Sequence, residues 1–508
     1  MVALASILGE LPGAVTQGAL AGDVDGVTYR SAEVTPGALF VAIPGKWRDG
    51  HDFIPEALAR GAVAIIGERP APVDLPDGRV YARVADARLA LGLAAAAYCG
   101  HPTRRIMVVG VTGTDGKTTT TNLVEALLAG AGRRTGMMST VDFKIGERRW
   151  DNASRFTTLE APEVQTLLAD MANAGVECAV VETTSSGLAL HRVTGVDYDV
   201  AVVTNITHEH LEVHGTLENY RRAKAMLVEA VDPKGEKPLD FPVARVCVLN
   251  ADDSSYEYLR PYCRAPIVTY GIENPAADVC ASDLDLRADG SRFTVRFPDD
   301  AIVEIRTPLV ARFNVANCLA ALAVGHAQGL DGHAMAQTLA AAHGVRGRME
   351  RVDAGQPFTV VVDYAHTADS LEKVLGVLRP LTTGRLIAVF GSAGDRDRTK
   401  RPLMGEVAAR LADFAVITDE DPREEDAAAI LREIAVGAER AGARGGTDFI
   451  EVVDRRAGIA AAFARAKPGD TVLLAGKGHE QNIIIGKEKV PWDDQRVARE
   501  LLGASAAS

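Results

Sequence analysis

The sequence predicts an α/β protein of three domains. Three observations carry that reading. At 508 residues the chain is longer than one hydrophobic core supports. Short Val/Ile-rich runs alternate with segments of helical periodicity, and the whole pattern restarts after about residue 345. The runs are continuous rather than alternating, as in strands buried on both faces of a parallel sheet. The expected boundaries are 1–104, 105–340 and 341–508.

The first region reads as a small N-terminal α/β domain. Strands are expected at Ala38–Ile43 and Ala62–Ile66 with a helix at Ile54–Arg60 between them, and Pro102 marks its end. The central strands are Ile106–Val111, Cys178–Val181, Val200–Thr204 and Val246–Leu249, and Asp232–Pro242 is a surface loop. The third set is Phe358–Val362, Leu386–Phe390, Phe414–Thr418 and Thr471–Leu474. Each of these last runs is followed at once by polar residues. Ligands bind beyond the carboxyl ends of strands in open α/β sheets, so this edge is expected to face a site. The Ala/Ser-rich tail after Leu502 is expected to fray.

The composition narrows the function class. With 47% hydrophobic and 24% charged residues the chain is a soluble globular protein. A net charge of −13 argues against nonspecific nucleic-acid binding, which needs a basic face. None of the six cysteines is paired in Cys-x-x-Cys spacing, so neither a zinc site nor a redox pair is indicated, and Cys178 and Cys247 read as buried thiols. No signal peptide or membrane span is evident, and a cytoplasmic location is expected.

The chemistry begins at residues 110–122, Gly-Val-Thr-Gly-Thr-Asp-Gly-Lys-Thr-Thr-Thr-Thr-Asn, directly after an apolar strand. Gly110, Gly113 and Gly116 let backbone N–H groups turn toward an anion. Lys117 supplies a point charge and Thr118 a hydroxyl for Mg²⁺. The helix that follows aims its positive end at the same place. A strand, a glycine-rich loop and a helix start make this a nucleotide-phosphate loop, and the central domain P-loop ATPase-like. The C-terminal domain is Rossmann-like.

Three further features lie near strand ends. Glu182 closes the run from Cys178 and suits a Mg²⁺ ligand, or else a helix cap. The segment Asn205–Gly215 carries His208, His210 and His214, which could bind metal or phosphate or be structural. The helix Leu217–Ala230, with Thr216 as N-cap, puts Tyr220, Lys224 and Leu227 on one face. A lysine there is out of place unless it snorkels.

Taken together these residues resemble the ATP-dependent Mur ligases over nearly the whole chain. Within that family the chain is most similar to the ligases that add the third amino acid to UDP-N-acetylmuramoyl-L-alanyl-D-glutamate. Thr112–Thr119 resembles the family's phosphate loop, with Asp115 where Asn is usual. His208–Gly215 resembles Asp-His-Leu-Asp-x-His-Gly, with Glu for both Asp. Arg312–Asn317 resembles Phe-Asn-x-x-Asn, and Arg346–Glu350 carries the linker arginine, Arg348. Asp363–Ser370 matches Asp-Tyr-Ala-His-Thr-Pro-Asp-Ser with Ala368 for Pro, and Gly391–Arg401 matches the Gly-Asp-Arg-Asp segment.

The resemblance implies a UDP-sugar-binding first domain, an ATP-binding second and an amino-acid-binding third. It implies ATP and Mg²⁺ as cofactors, the UDP-linked dipeptide and a diamino acid as substrates, no membrane insertion, and a monomer. The catalytic set is Lys117, Glu182, His210 and Lys224. ATP is assigned to Gly113, Thr114, Asp115, Gly116, Lys117, Thr118, Thr119, Asn317, Arg348 and Asp363. Metal contacts fall to Thr118, Glu182, His210 and Lys224, the lysine carbamylated. The acceptor is assigned to Ser31, Thr157, Thr158, Ser185 and Arg192. The amino acid is assigned to an arginine at position 397, with Asp421, Pro422, Arg423, Gly476 and Glu480. The implied mechanism transfers the γ-phosphoryl group to the D-glutamate side-chain carboxylate, and the incoming amine then displaces phosphate. Closure of the third domain would exclude water.

Asp419–Arg423 resembles the family's Asp-Asn-Pro-Arg, so Arg423 is expected to fork onto the distal carboxylate of meso-diaminopimelate. Asp421 in place of Asn, and the extra Glu420, leave L-lysine or L-ornithine as the alternative. A bland reading pairs Arg423 with Glu424 or Glu425. The acceptor side departs from the family: only Ser31 survives of Asp-Ser-Arg, Leu159 replaces Pro, and Thr184–Ser186 replaces the usual Ser-Ser-His. A ligase of the same architecture on another acceptor, a P-loop motor or switch, and a silent binding relative are the competing readings. Thr35–Gly45 with Asp49-Gly-His51 resembles the Mur N-terminal domain and argues against the first. The third domain's motifs argue against the second, and the intact Lys117, Glu182, His210 and Lys224 against the third.

Overall fold

The computed structural model describes all residues except 46, 47, 155, 208–213, 288, 343, 507 and 508. The chain forms two compact units. One comprises Met1–Asp283, Phe293–Ile305 and Phe313–Ala340, and the other Leu284–Arg292, Arg306–Arg312 and Ala341–Ser508.

The first unit begins with a five-stranded sheet. Its spatial order is Val15–Gln17, Val80–Arg83, Ala64–Gly67, Ala38–Val41 and Gly26–Thr28, parallel except for the first pairing. The helix Ile54–Ala59 and the strands Ala38–Val41 and Ala64–Gly67 fall where the apolar runs place them. The Pro102 boundary is a short 3-10 turn, Pro102–Arg105.

The central sheet positions the phosphate loop. Its strands run Thr135–Met138, Cys178–Glu182, Met107–Thr112, Val200–Val203, Val246–Asn250 and Ile267–Gly271, all parallel. Cys178–Val181 and Val200–Val203 are fully buried, which explains their unbroken apolar character. Register puts Glu182 beside Val111, one residue before the loop strand ends. Side strands at Asp142–Ile145 and Arg148–Asp151 extend this sheet as an antiparallel hairpin that the apolar runs do not announce.

The second unit is built on a six-stranded sheet. The order is Glu350–Val352, Thr359–Asp363, Thr471–Ala475, Leu386–Phe390, Phe414–Ile417 and Phe449–Glu451, parallel apart from the first pair. Helices cover both faces, with Leu371, Leu375, Met404 and Ile434 on one and Ile459, Val497 and Leu502 on the other. The helix Asp494–Ala506 packs Val497, Ala498 and Leu502 into the core and extends past Leu502 to Ala506. Among the described residues no helix is long and apolar enough to cross a membrane.

Candidate active site

The buried strand Met107–Thr112 runs into the loop 113–116 and then the helix Lys117–Gly130. Gly113 and Gly116 have φ of 151° and 81°. A Cβ on Gly113 would lie 1.8 Å from Thr204 Oγ1, and one on Gly116 2.3 Å from Asn317 Oδ1. Only glycine fits either position. The loop rests on the next strand end: Thr114 N–H donates to Asn205 O at 2.8 Å, and Asp115 N–H to Asn205 Oδ1 at 2.9 Å. Thr204 Oγ1 donates to Asp115 O at 2.6 Å. Lys117 Nζ folds over the loop onto Gly113 O (3.1 Å) and Thr114 O (2.7 Å).

Glu182 is buried at the head of this loop. It accepts from Thr118 Oγ1 at 3.0 Å, Thr140 Oγ1 at 2.9 Å and Thr140 N–H at 2.8 Å. A hydroxyl and a carboxylate side by side are hard oxygen donors, the set Mg²⁺ prefers. Among the described residues no group of three or more His, Cys, Asp or Glu gathers. A Mg²⁺ that keeps waters and phosphate oxygens does not need one. Thr119 lies in the first turn of the helix, and Asn317 reaches the same turn, accepting from Thr120 Oγ1 at 3.3 Å.

The helix Leu217–Glu229 starts at Thr216, whose side chain accepts from Asn219 N–H. Its buried face carries Tyr220, Lys224 and Leu227. Lys224 does not snorkel: its residue is 1% exposed and its Nζ donates to Gly113 O at 2.6 Å. The ammonium also lies 4.6 Å from the Tyr220 ring centre. His210 lies outside the described residues. His214 Nε2 meets Ser185 Oγ at 3.0 Å.

The acceptor residues fall in two places in this unit. Thr157 Oγ1 lies 3.0 Å from Thr140 Oγ1, beside Glu182. Thr158 Oγ1 donates to Glu182 O at 3.2 Å, and Arg192 donates to Thr158 O at 3.1 Å. Ser31 lines a pocket of about 330 Å³ with Tyr29, Arg30, Arg48, Phe53 and Glu160. Glu160 also pairs with Arg192 at 2.7 Å, so one carboxylate links the two places.

In the second unit the strand ends bring the polar clusters together. Asp363 Oδ2 accepts from Met349 N–H at 2.7 Å and Oδ1 from Ala365 N–H at 2.8 Å. Burial raises its carboxyl above the usual range, against the pull of Arg348. The Arg348 guanidinium lies 4.9 Å from the Tyr364 ring centre. His479, also against Tyr364, is lowered to about 3 by burial and by the nearby Arg348, so it is neutral at physiological pH.

Glu480 does not stand free for a substrate ammonium. The buried Lys477 donates to Glu480 Oε2 at 2.5 Å and to Asp421 Oδ1 at 2.8 Å. Gly476, at φ 107°, passes so close to Glu420 that a Cβ would lie 2.9 Å from its Oε2. Pro422 O lies against Gly394, whose N–H donates to Asp421 O at 2.7 Å. Arg423 has φ 54°, and its backbone pairs with Ile484 and Gly486. Neither acidic neighbour pairs with it: Glu425 is taken by Arg401, and Glu424 lies nearer Lys487. Position 397 is not an arginine but Asp397, which accepts from Thr399 N–H at 2.8 Å. The arginines of that segment are Arg396, Arg398 and Arg401.

Three family models match in series: residues 23–104 the Mur ligase family catalytic domain, 111–325 the Mur ligase middle domain, and 347–478 the Mur ligase glutamate ligase domain. A "UDP-N-acetylmuramyl-tripeptide synthetase" of Roseiflexus sp. is 52% identical over 489 residues, 94% of each chain. The chain belongs to the Mur ligase family. A "UDP-N-acetylmuramoyl-L-alanyl-D-glutamate--2,6-diaminopimelate ligase" of Geobacillus thermodenitrificans is 42% identical over 98% of each chain. A solved structure of a ligase of that same description aligns with TM-score 0.69 at 31% identity, covering 96% of both chains. MurF of Thermotoga maritima in complex with ADP shares the fold at 22% identity, with TM-score 0.58.

Within this Mur ligase, Asn205, Thr140 and Glu160 contact the phosphate loop, Glu182 and Arg192 respectively, and the motifs did not single them out. Asn205 opens the histidine segment Asn205–Gly215, so the sequence shows its position but not its hold on the loop. Thr140 and Glu160 carry no local signal: strand pairing brings Thr140 to Glu182, and the packing of the helix that Glu160 caps brings it to Arg192.

Proposed function

We propose that this Mur ligase joins meso-diaminopimelate to the D-glutamate of UDP-N-acetylmuramoyl-L-alanyl-D-glutamate, using ATP and Mg²⁺, in the cytoplasm. The single observation that carries the choice of amino acid is Arg423. Its left-handed turn is held by Ile484 and Gly486, and its guanidinium has no ion pair among the described residues. A half-buried guanidinium of this kind suits a second carboxylate. Residues 1–104 would bind the UDP-sugar, 105–340 ATP and 341–508 the amino acid.

The first step moves the γ-phosphoryl group of ATP onto an oxygen of the D-glutamate side chain, releasing ADP. The amine then attacks the acyl carbon, the amide C–N bond forms, and the C–O bond breaks to release phosphate. Lys117 and the loop N–H groups hold the phosphates and offset anionic repulsion. Thr118 and Glu182 would hold Mg²⁺, which neutralises developing charge on phosphate oxygens when bound. Lys224, as a carbamate, would add an anionic oxygen ligand. Arg192 and Thr157 orient the acceptor carboxylate.

A second reading has L-lysine or L-ornithine as the added residue. Glu420 favours it: the carboxylate is buried and its Oε2 has no hydrogen-bond partner. Asp421 adds a second anion nearby. The test is ATP-dependent phosphate release with the UDP-linked dipeptide, offering the three amino acids in parallel and weighing products by mass spectrometry. A tripeptide with diaminopimelate alone supports the proposal, and one with a monocarboxylic diamine replaces it by the second reading. No product with any of them, while ATP still binds, points to another acceptor.

A further inference from the structure

Arg401 is fully buried in the second unit, on the helix Lys400–Leu411. Its guanidinium forks onto Glu425: Nη1 donates to Oε2 and Nη2 to Oε1, both at 2.9 Å. Nη1 also reaches Glu433 Oε2 at 2.9 Å, and Nη2 the carbonyl of Ala393 at 3.3 Å. Glu425 Oε1 accepts in addition from Asp395 N–H at 2.7 Å. One ion pair therefore holds two turns at once, the one after the strand Leu386–Phe390 and the one after Phe414–Ile417.

These turns are strained where they meet. Asp395 and Arg423 both adopt left-handed backbones, φ 52° and 54°, which non-glycine residues rarely do. Such conformations persist only where the surroundings over-determine them. Gly394 N–H to Asp421 O and Glu424 N–H to Asp395 Oδ2 (3.4 Å) complete the seam between the turns. We propose that Arg401 and Glu425 are positioning residues for the incoming amino acid: their fork fixes the Asp395–Arg396 turn against the Asp421–Arg423 turn. Neither residue touches substrate. The pair acts by presenting Arg423 in one preset arrangement, so the amino acid does not have to order it.

The inference rests on the amino-acid reading of this strand edge, and the experiment separates the two. Glu425→Gln keeps the shape but loses the charge, Arg401→Lys loses the fork, and Glu425→Asp shortens the reach. Each is assayed with the amino acid varied at saturating ATP and acceptor, alongside thermal unfolding. The expected result is a KM for the amino acid raised about tenfold in at least one folded variant. Its kcat stays within about twofold, and KM for ATP and acceptor is unchanged. Arg423→Ala runs in parallel. If it raises the amino-acid KM while the folded fork variants do not, the positioning role is overturned and the site stands. If Arg423→Ala and the fork variants all leave that KM unchanged, the site reading falls and the inference with it. Equal rises in all three KM values would mark a merely structural pair and overturn the proposal.

Discussion

Lys224 Nζ and Lys117 Nζ donate to the same atom, the carbonyl oxygen of Gly113, at 2.6 and 3.1 Å. A loop that turns its N–H groups toward an anion turns carbonyls elsewhere, and these two ammonium groups satisfy the first of them. Lys224 reaches it from a helix more than a hundred residues away in sequence. Removing it acts on the loop and on the proposed carbamate together. Lys224→Ala is expected to lower turnover by about a hundredfold or more. The protein should stay folded, because alanine suits a helix, at a cost of about 1.5–3 kcal/mol for the lost charged hydrogen bond, with Lys117 still donating to Gly113 O. Phosphate release and thermal unfolding check both. Unchanged turnover would remove the carbamate from the mechanism.

Glu182→Gln tests the metal assignment. The amide keeps the volume but replaces one acceptor oxygen with a donor, facing either the Thr118 and Thr140 hydroxyls at Oε1 or the Thr140 N–H at Oε2. Turnover should fall about a hundredfold, and half-saturation in Mg²⁺ should move to higher concentration. A Mg²⁺ titration is the measurement; an unmoved midpoint would leave Glu182 a structural acceptor for Thr140.

Arg423→Ala should weaken amino-acid binding by about 1.5–3 kcal/mol, about ten- to a hundredfold, if the guanidinium meets a carboxylate. Diaminopimelate should suffer and lysine should not. Comparing KM for the two amino acids in both proteins reads the difference directly, and equal loss for both would place Arg423 on the shared amino-acid head instead.

Asp419 supplies a pH-dependent stability term. Burial pushes its carboxyl from an ordinary 3.8 to about 6, although Arg455 pulls it down. A raised carboxyl pKa means the folded state binds the proton more tightly than the unfolded chain. Its charged form therefore costs stability in full above about pH 6, and the cost fades as pH falls from 6 toward 4. Asp419→Asn should raise Tm at pH 8, with a smaller gain at pH 5. A gain that grows on acidification would contradict the assignment.

Much of the site is legible because its signals are local. The glycine pattern around Lys117 sits inside one strand–loop–helix, and Lys224 betrays itself as a lone lysine on an apolar helical face. Glu182 is visible as the polar end of an apolar run. Arg423 is legible as a motif residue, but its freedom from Glu425 is not, because that depends on Arg401 arriving from another helix. Glu480 shows the converse. It reads as a ready carboxylate, yet Lys477, three residues earlier, already holds it.

The sequence by itself determined the α/β class, the buried parallel strands, the phosphate loop and the family resemblance. Periodicity, glycine spacing and contiguous motifs are short-range properties that the chain carries in any conformation. Tertiary structure alone decided which partners meet: Thr140 with Glu182, Glu160 with Arg192, and the Arg401 fork with Glu425. Those outcomes depend on strand register and on competition among charges for a few buried partners, and both are settled only when distant segments pack together.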